Sequence, residues 1–363
     1  MLEVLFAFVG AFTLTPMLYE PAYRTGLVDF PSARKSHGVP VPVVGGIAMV
    51  LTFSAGVLIL EPAYDPLVAL LCVTLFVAVV GVIDDRRELL ASTKLAAQVV
   101  AATATAVWGG QVLQGLGDPF GTGAIQLQTF ATAFTVFTIV GVMNAMNMLD
   151  GLDGLAGGTA IICFLWLGTA ALLSGSFVQV DVLLIWLGAV AGFLLFNLRY
   201  PVRQRAQVFM GDAGSLVLGL TLAWFCIDLT QQPSGRGLYP ISAVWIMALP
   251  VMDTLYVLGR RICNRNSPFA PDRRHVHHTL LDMGVRPGWV VFVMFAASAA
   301  FGAVGVLGWY WRVPEPTLGY GLLLTFAAYC LVMQVWPRLA LALGLVPSRL
   351  PPKRLETTGL HGQ

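Results

Sequence analysis

The chain has 363 residues, 57% of them hydrophobic and only 11% charged, with a mean hydropathy of +0.78. A water-soluble domain carries roughly 25% charged residues, so water is excluded as the main solvent. The formal net charge of +2 identifies no partner and gives no reason to expect nucleic acid; the distribution of charge is more informative. Cys72, Cys163, Cys226, Cys263 and Cys330 lack paired spacing and read as small apolar residues, not as a disulfide framework or a zinc site.

Apolar runs separated by polar breaks predict eleven membrane spans, near 4–19, 43–60, 67–83, 92–108, 128–146, 157–174, 182–198, 214–231, 239–259, 288–309 and 317–337. Most approach the ~20 residues that a helix needs to cross ~30 Å of hydrocarbon. The run at 92–108 is the weakest, being short and rich in Ala and Thr. The N-terminus has no basic segment, carries Glu3 and shows no cleavage site, so its apolar run is read as the first span. Residues 109–128 are punctuated by glycine and alternate weakly at Ala124–Gln128, which predicts a short external β-hairpin. The expected class is therefore an all-α polytopic membrane protein. Residues 1–346 form one transmembrane domain, and 347–363 a flexible tail.

This layout places nineteen of the 21 lysines and arginines on one side, with only Arg236 and Arg312 opposite. The positive-inside rule makes the cation-rich side cytoplasmic, the N-terminus external and the C-terminus cytoplasmic. No internal repeat of the kind found in many transporters is visible.

Five polar segments interrupt or flank the spans, all on the cation-rich side. Arg34 to Gly46 (R-K-S-H-G-V-P-V-P-V-V-G-G) leads into the second span, where Lys35 and His37 are placed to meet an anion or to anchor the interface. Asp84 and Asp85 end the third span; adjacent carboxylates there want a cation, a proton or a phosphate-bound metal, or else pair with Arg86, Arg87 or Lys94. Asn144 to Gly158 (N-A-M-N-M-L-D-G-L-D-G-L-A-G-G) sets Asn144, Asn147, Asp150 and Asp153 three residues apart, so helical neighbours share a face. Such groups suit Mg²⁺ binding or an N–H donor, and a purely structural loop beside hydrocarbon does not need four of them. Phe209 to Ser215 (F-M-G-D-A-G-S) opens the eighth span, with Asp212 where a helix N-terminus favours phosphate and its metal, or serves as a cap. Arg273 to His278 (R-R-H-V-H-H) offers cations and imidazoles for phosphate or sugar, without the ligand spacing of a zinc site. Asp253, a lone carboxylate in the ninth span, is read as pairing with an arginine or capping a neighbouring helix.

In this order, the Asp-Asp pair, the N-x-x-N-x-x-D-G-x-D-G-L run, the G-D-x-G-S turn and the H-x-H-H segment resemble the polyprenyl-phosphate N-acetylhexosamine-1-phosphate transferases. Ser267 to His278 (S-P-F-A-P-D-R-R-H-V-H-H) is most similar to the WecA-type undecaprenyl-phosphate N-acetylglucosamine-1-phosphate transferases. The resemblance implies a multi-pass enzyme of the bacterial inner membrane. Its substrates are UDP-GlcNAc and undecaprenyl phosphate, its cofactor Mg²⁺ with Mn²⁺ as the alternative, and its products undecaprenyl-pyrophosphoryl-GlcNAc and UMP. That lipid-linked sugar begins O-antigen and related surface polymers.

By the same resemblance, Asp212 and Asn147 hold the metal, Phe209 stacks on uracil, Asp153 accepts its N–H and Lys94 holds the pyrophosphate. Asp84, Asp85, Asp150 and Asp153 are the catalytic carboxylates. Asn144, Lys35, His37, Arg273, Arg274, His275, His277 and His278 contact substrate. The sequence leaves open another UDP-N-acetylhexosamine donor, a secondary transporter using Asp84, Asp85 and Asp253, and a homodimer.

Overall fold

In lipid every backbone N–H and C=O must be satisfied within its own segment, which makes long apolar runs helical. A computed structural model describes residues 1–30, 39–60, 65–199, 203, 205–232, 237–265 and 274–342. The chain opens with α1 (Leu2–Met17) and α2 (Tyr19–Thr25), bent by 44°. A two-residue antiparallel pair follows, β1 (Val28–Asp29) with β2 (Val41–Pro42), in the register Val28 to Pro42. Next come α3 (Gly45–Leu60), α4 (Asp65–Arg87), α5 (Ala91–Val107), α6 (Ala131–Leu149), α7 (Leu155–Ser174), α8 (Phe177–Asn197) and α9 (Gly211–Thr230). The remainder is α10 (Pro240–Ile246), α11 (Ala248–Cys263), α12 (Val276–Asp282), α13 (Pro287–Tyr310) and α14 (Glu315–Ala342).

Helices occupy all eleven expected positions, but they are not equivalent. Among the described residues, α4, α6 with the turn before it, α7, α8, α9, α13 and α14 are long and apolar enough to cross a bilayer; counting each bent pair as one span gives nine. The chain is thus an all-α polytopic membrane protein. Helices α3 and α5 have 16 and 17 residues. At ~1.5 Å per residue they run about 24–26 Å, short of a full crossing.

The 80° break between α10 and α11 has a covalent cause. Pro250 has no N–H to offer the carbonyl of Ile246, and that carbonyl accepts the Cys163 thiol at 3.4 Å instead. Between α5 and α6, Gly115 and Gln126 form an antiparallel bridge, flanked by hydrogen bonds from Leu116 N–H to Ile125 O, Ile125 N–H to Gly117 O and Leu127 N–H to Gln114 O at 2.9, 2.8 and 2.9 Å. Gln231 holds this turn, accepting the N–H of Gln114 and of Gly115 at 3.0 and 3.2 Å. The expected tail, 347–363, lies outside the described residues.

Helix α9 is the axis of the bundle. Its most apolar stretch is 83% buried, against 17% for α14, which lies at the outside of the bundle. Its first turn is crossed closely by α4, because a Cβ on Gly81 would lie 2.3 Å from Ala213 Cα. That contact brings the end of α4 and the start of α9, and their carboxylates, to the same end of the bundle.

Candidate active site

The start of α9 exposes free N–H groups, as every helix N-terminus does. Gly211 enters it with φ +73°, a conformation that suits glycine. The cap comes from another helix: Asp85, at the end of α4, accepts the N–H of Asp212 at 2.8 Å and of Ala213 at 3.3 Å. The strand-like segment before α3 completes the collar. Phe209 N–H donates to Pro42 O at 2.9 Å, and Gly45 and Gly46 donate to the carbonyls of Phe209 and Met210 at 3.0 and 2.9 Å.

With the backbone so fixed, the side chain of Asp212 meets two other elements. Lys94, from the first turn of α5, places Nζ 2.5 Å from Asp212 Oδ2 and 2.5 Å from Asp84 Oδ2. Asn147, from the last turn of α6, donates to Asp212 Oδ1 at 2.7 Å and to Ser215 Oγ at 2.9 Å. Asp84 is only 6% exposed and also accepts Leu89 N–H at 2.7 Å. Four of the five polar segments therefore contribute to one continuous cluster, and the Asp-Asp pair divides its work between a lysine and a helix terminus.

Asp150 begins the turn after α6. It is half-buried, and among the described residues its carboxylate has no cation or hydrogen-bond donor. Burial, reinforced by the charges of Asp212, Asp85 and Asp153, pushes its pKa up to about 7. Asp153 is instead engaged, with Arg199 Nε at 2.6 Å and Ala206 N–H at 3.1 Å. Asn144 is turned to Gln98, donating to its Oε1 at 2.6 Å and to Val140 O at 2.8 Å.

The histidine segment approaches from the other side. His275 Nδ1 lies 2.6 Å from Asp253 Oδ2. His277 is fully buried, and burial followed by repulsion from His278 pushes its pKa down to about 3, so the ring is neutral. His278 is half-buried with its ring 4.2 Å from that of His277, and Arg274 is exposed. Phe209 is half-buried against the core. Lys35, His37 and Arg273 lie outside the described residues.

Gln98, Asn197 and Tyr329 carry connections that the sequence reading passed over. Buried Asn197 accepts Gly154 N–H at 2.7 Å and donates to Val208 O at 2.8 Å, joining the two Gly-rich motifs. Amides set in otherwise apolar helices, as Gln98 and Asn197 are, were the available signal.

Asp84, Asp85, Asp150 and Asp212 gather here, and among the described residues Lys94 pairs with two of them, Asp84 and Asp212. This excess of negative oxygen fits a divalent cation. Mg²⁺ takes one or two carboxylates, keeps several waters and completes its shell with substrate phosphate. Asp212 and Asp84 would supply carboxylates to such an ion, and Asn147 has its Oδ1 to offer while its nitrogen serves Asp212 and Ser215. No group of three or more His, Cys, Asp or Glu side chains among the described residues is arranged to hold a metal ion.

The profile of glycosyl transferase family 4 matches residues 67–230, the stretch that holds this cluster. Among curated proteins, the chain is 34% identical to an undecaprenyl-phosphate α-N-acetylglucosaminyl 1-phosphate transferase of Pasteurella multocida, over 91% of this chain and 92% of that one. Proteins of the same name from Haemophilus influenzae and Escherichia coli K12 are 31% and 33% identical, over 91% and 85% of this chain and 92% and 84% of theirs.

Proposed function

This chain belongs to glycosyl transferase family 4, and from that premise we propose that it transfers N-acetylglucosamine 1-phosphate from UDP-N-acetylglucosamine to undecaprenyl phosphate. The products are undecaprenyl-pyrophosphoryl-N-acetylglucosamine and UMP. The observation that carries the chemistry is the gathering of four carboxylates, one lysine and one helix N-terminus at a single end of the bundle.

An oxygen of the lipid phosphate attacks the β-phosphorus of the donor, and the bond from that phosphorus to the bridging oxygen breaks. UMP departs with the electron pair, and the sugar keeps its phosphate. Asp212 and Asn147 would hold Mg²⁺, or Mn²⁺ in its place, which would supply positive charge against the donor pyrophosphate and the departing UMP. Lys94 exchanges one of its carboxylate partners for the pyrophosphate. Phe209 and Asp153 bind the uracil, and Arg274 and His278, the less buried members of the histidine segment, contact the sugar phosphate.

Direct attack is favoured over a phosphoryl-enzyme. Asp85 is committed to two backbone N–H groups, and Asp84 to Lys94 and Leu89, so a nucleophilic role would cost either residue its partners. Asp150 is the better proton acceptor, because its carboxylate has no donor or cation among the described residues to give up.

The cation partition supports a cytoplasmic site in a bacterial inner membrane, with the N-terminus outside, the C-terminus inside and residues 109–128 external. Eleven crossings require α3 and α5 to span where the bilayer is thin or the helices are shielded by neighbours. The reading is tested with membranes carrying the chain, supplied with undecaprenyl phosphate, Mg²⁺ and a panel of UDP-sugars. UMP release from UDP-N-acetylglucosamine is expected. Release only from another donor changes the sugar, and release from none overturns the activity.

A further inference from the structure

Asp253 lies outside the acidic cluster and has no part in the reaction described above, yet its environment is unusual. It is 2% exposed, on α11. Its Oδ2 faces His275 Nδ1 at 2.6 Å, while Oδ1 accepts Val276 N–H at 2.9 Å and Tyr329 O–H at 2.8 Å. One carboxylate thus joins α11, the start of α12 and α14. A buried carboxylate is tolerated only when its lone pairs are used, and here three donors meet it.

The connection continues beyond His275. Its ring stacks on that of His277, with centroids 5.7 Å apart and planes 13° from parallel. His277 is 0% exposed and neither ring nitrogen has a hydrogen-bond partner, a costly arrangement for a side chain that only fills space. Its Nε2 lies 2.3 Å from the point where a Cβ on Gly151 would stand. Gly151 directly follows Asp150 and lies two residues before Asp153. The imidazole is therefore seated on the backbone of the acidic turn, in a space that only glycine leaves open.

We propose that Asp253 and Tyr329 are positioning residues, which hold the His275–His277 ring stack against Gly151 and thereby fix the turn that carries Asp150 and Asp153. This deepens the transferase reading and rests on it for its catalytic consequence, though the mechanical link is independent of any substrate. An aspartate fixing one imidazole nitrogen sets the ring's orientation, a familiar role for a partner behind a working group.

The test uses the full chain in lipid nanodiscs. Tyr329→Phe removes one hydroxyl from a half-buried side chain, and Asp253→Asn alters the hub itself. Amide hydrogen exchange is expected to rise about fivefold or more at residues 150–154 as well as at 275–282, with α8 and α9 unchanged, since local openings are read separately from global ones. Turnover is expected to fall about tenfold in each variant, because small misplacements of reacting groups are costly. In a cycle with Gly151→Ala, the loss in the double variant is expected to be smaller than the product of the single losses.

Faster exchange confined to 275–282, unchanged exchange, or strictly multiplicative losses would overturn the link. If Asp253→Asn fails to fold, Tyr329→Phe carries the test. If the chain proves to have no transferase activity, the exchange at 150–154 still decides the proposal.

Discussion

The carboxylate of Asp85 accepts the backbone N–H of Asp212 at 2.8 Å, so the end of one helix caps the start of another at the centre of the site. The geometry of Asp212 thus depends on Asp85 without any side-chain contact between them. Replacing a capping acid by alanine typically costs about 1–2 kcal/mol. Asp85→Ala should therefore lower the thermal midpoint by a few degrees and reduce UMP release about 100-fold or more, the larger effect arising from the displaced Asp212. Asp85→Asn retains an acceptor oxygen and should recover most of the midpoint. Differential scanning fluorimetry beside a UMP assay separates the two effects.

Lys94 occupies the oxygens of Asp84 and Asp212 that a divalent cation would use. Replacing it with alanine should raise the donor KM about tenfold or more while lowering the Mg²⁺ concentration needed for half-maximal activity, since a competing charge has been removed. A raised Mg²⁺ requirement in Lys94→Ala would show that the lysine assists metal binding instead.

The helix crossing at Gly81 gives a packing prediction with its own control. A methyl there meets the backbone of Ala213, which has no rotamer through which to yield, and overpacking of this kind costs about 1–3 kcal/mol. Gly81→Ala should lower both stability and activity. Gly168→Ala, where nothing lies within 4 Å of the new methyl, should change neither by much. Thermal midpoints of the two purified variants are the measurement.

His277 makes stability depend on pH. Its folded pKa lies near 3, against 6.5 for the ordinary group, so between those values the unfolded chain binds a proton that the folded chain refuses. Its contribution is fully present above the ordinary value and is lost as pH falls below it. The thermal midpoint should fall between about pH 7 and pH 5, and by less in His277→Leu, which has no proton to gain. An equal fall in both proteins would assign the effect elsewhere.

Much of this site was legible in the sequence because bilayers leave few reasons to bury polar groups. Asp84, Asp85, Asn147 and Asp212 announce themselves as charges and amides at the ends of apolar runs, and the structure brings them together. Pairing was harder to read. Nothing local links Asp153 to Arg199 or Asn144 to Gln98, because those contacts depend on how separate helices are arranged side by side. Asp253 illustrates the limit well. A cap on a neighbouring helix was foreseen and is present at Val276, but the partner is a histidine and not an arginine, and Tyr329 gives no signal in an apolar helix. The 17-residue α5 matches the short run expected at 92–108, and α3 is two residues shorter than the run at 43–60.

The central claim is that the β-phosphate travels with the sugar, and a donor labelled at that phosphorus tests it most directly. With UDP-N-acetylglucosamine carrying ³²P at the β position, membranes containing the chain should move the label into the undecaprenyl lipid and release unlabelled UMP. Labelled UDP in solution, with sugar alone on the lipid, would contradict the account.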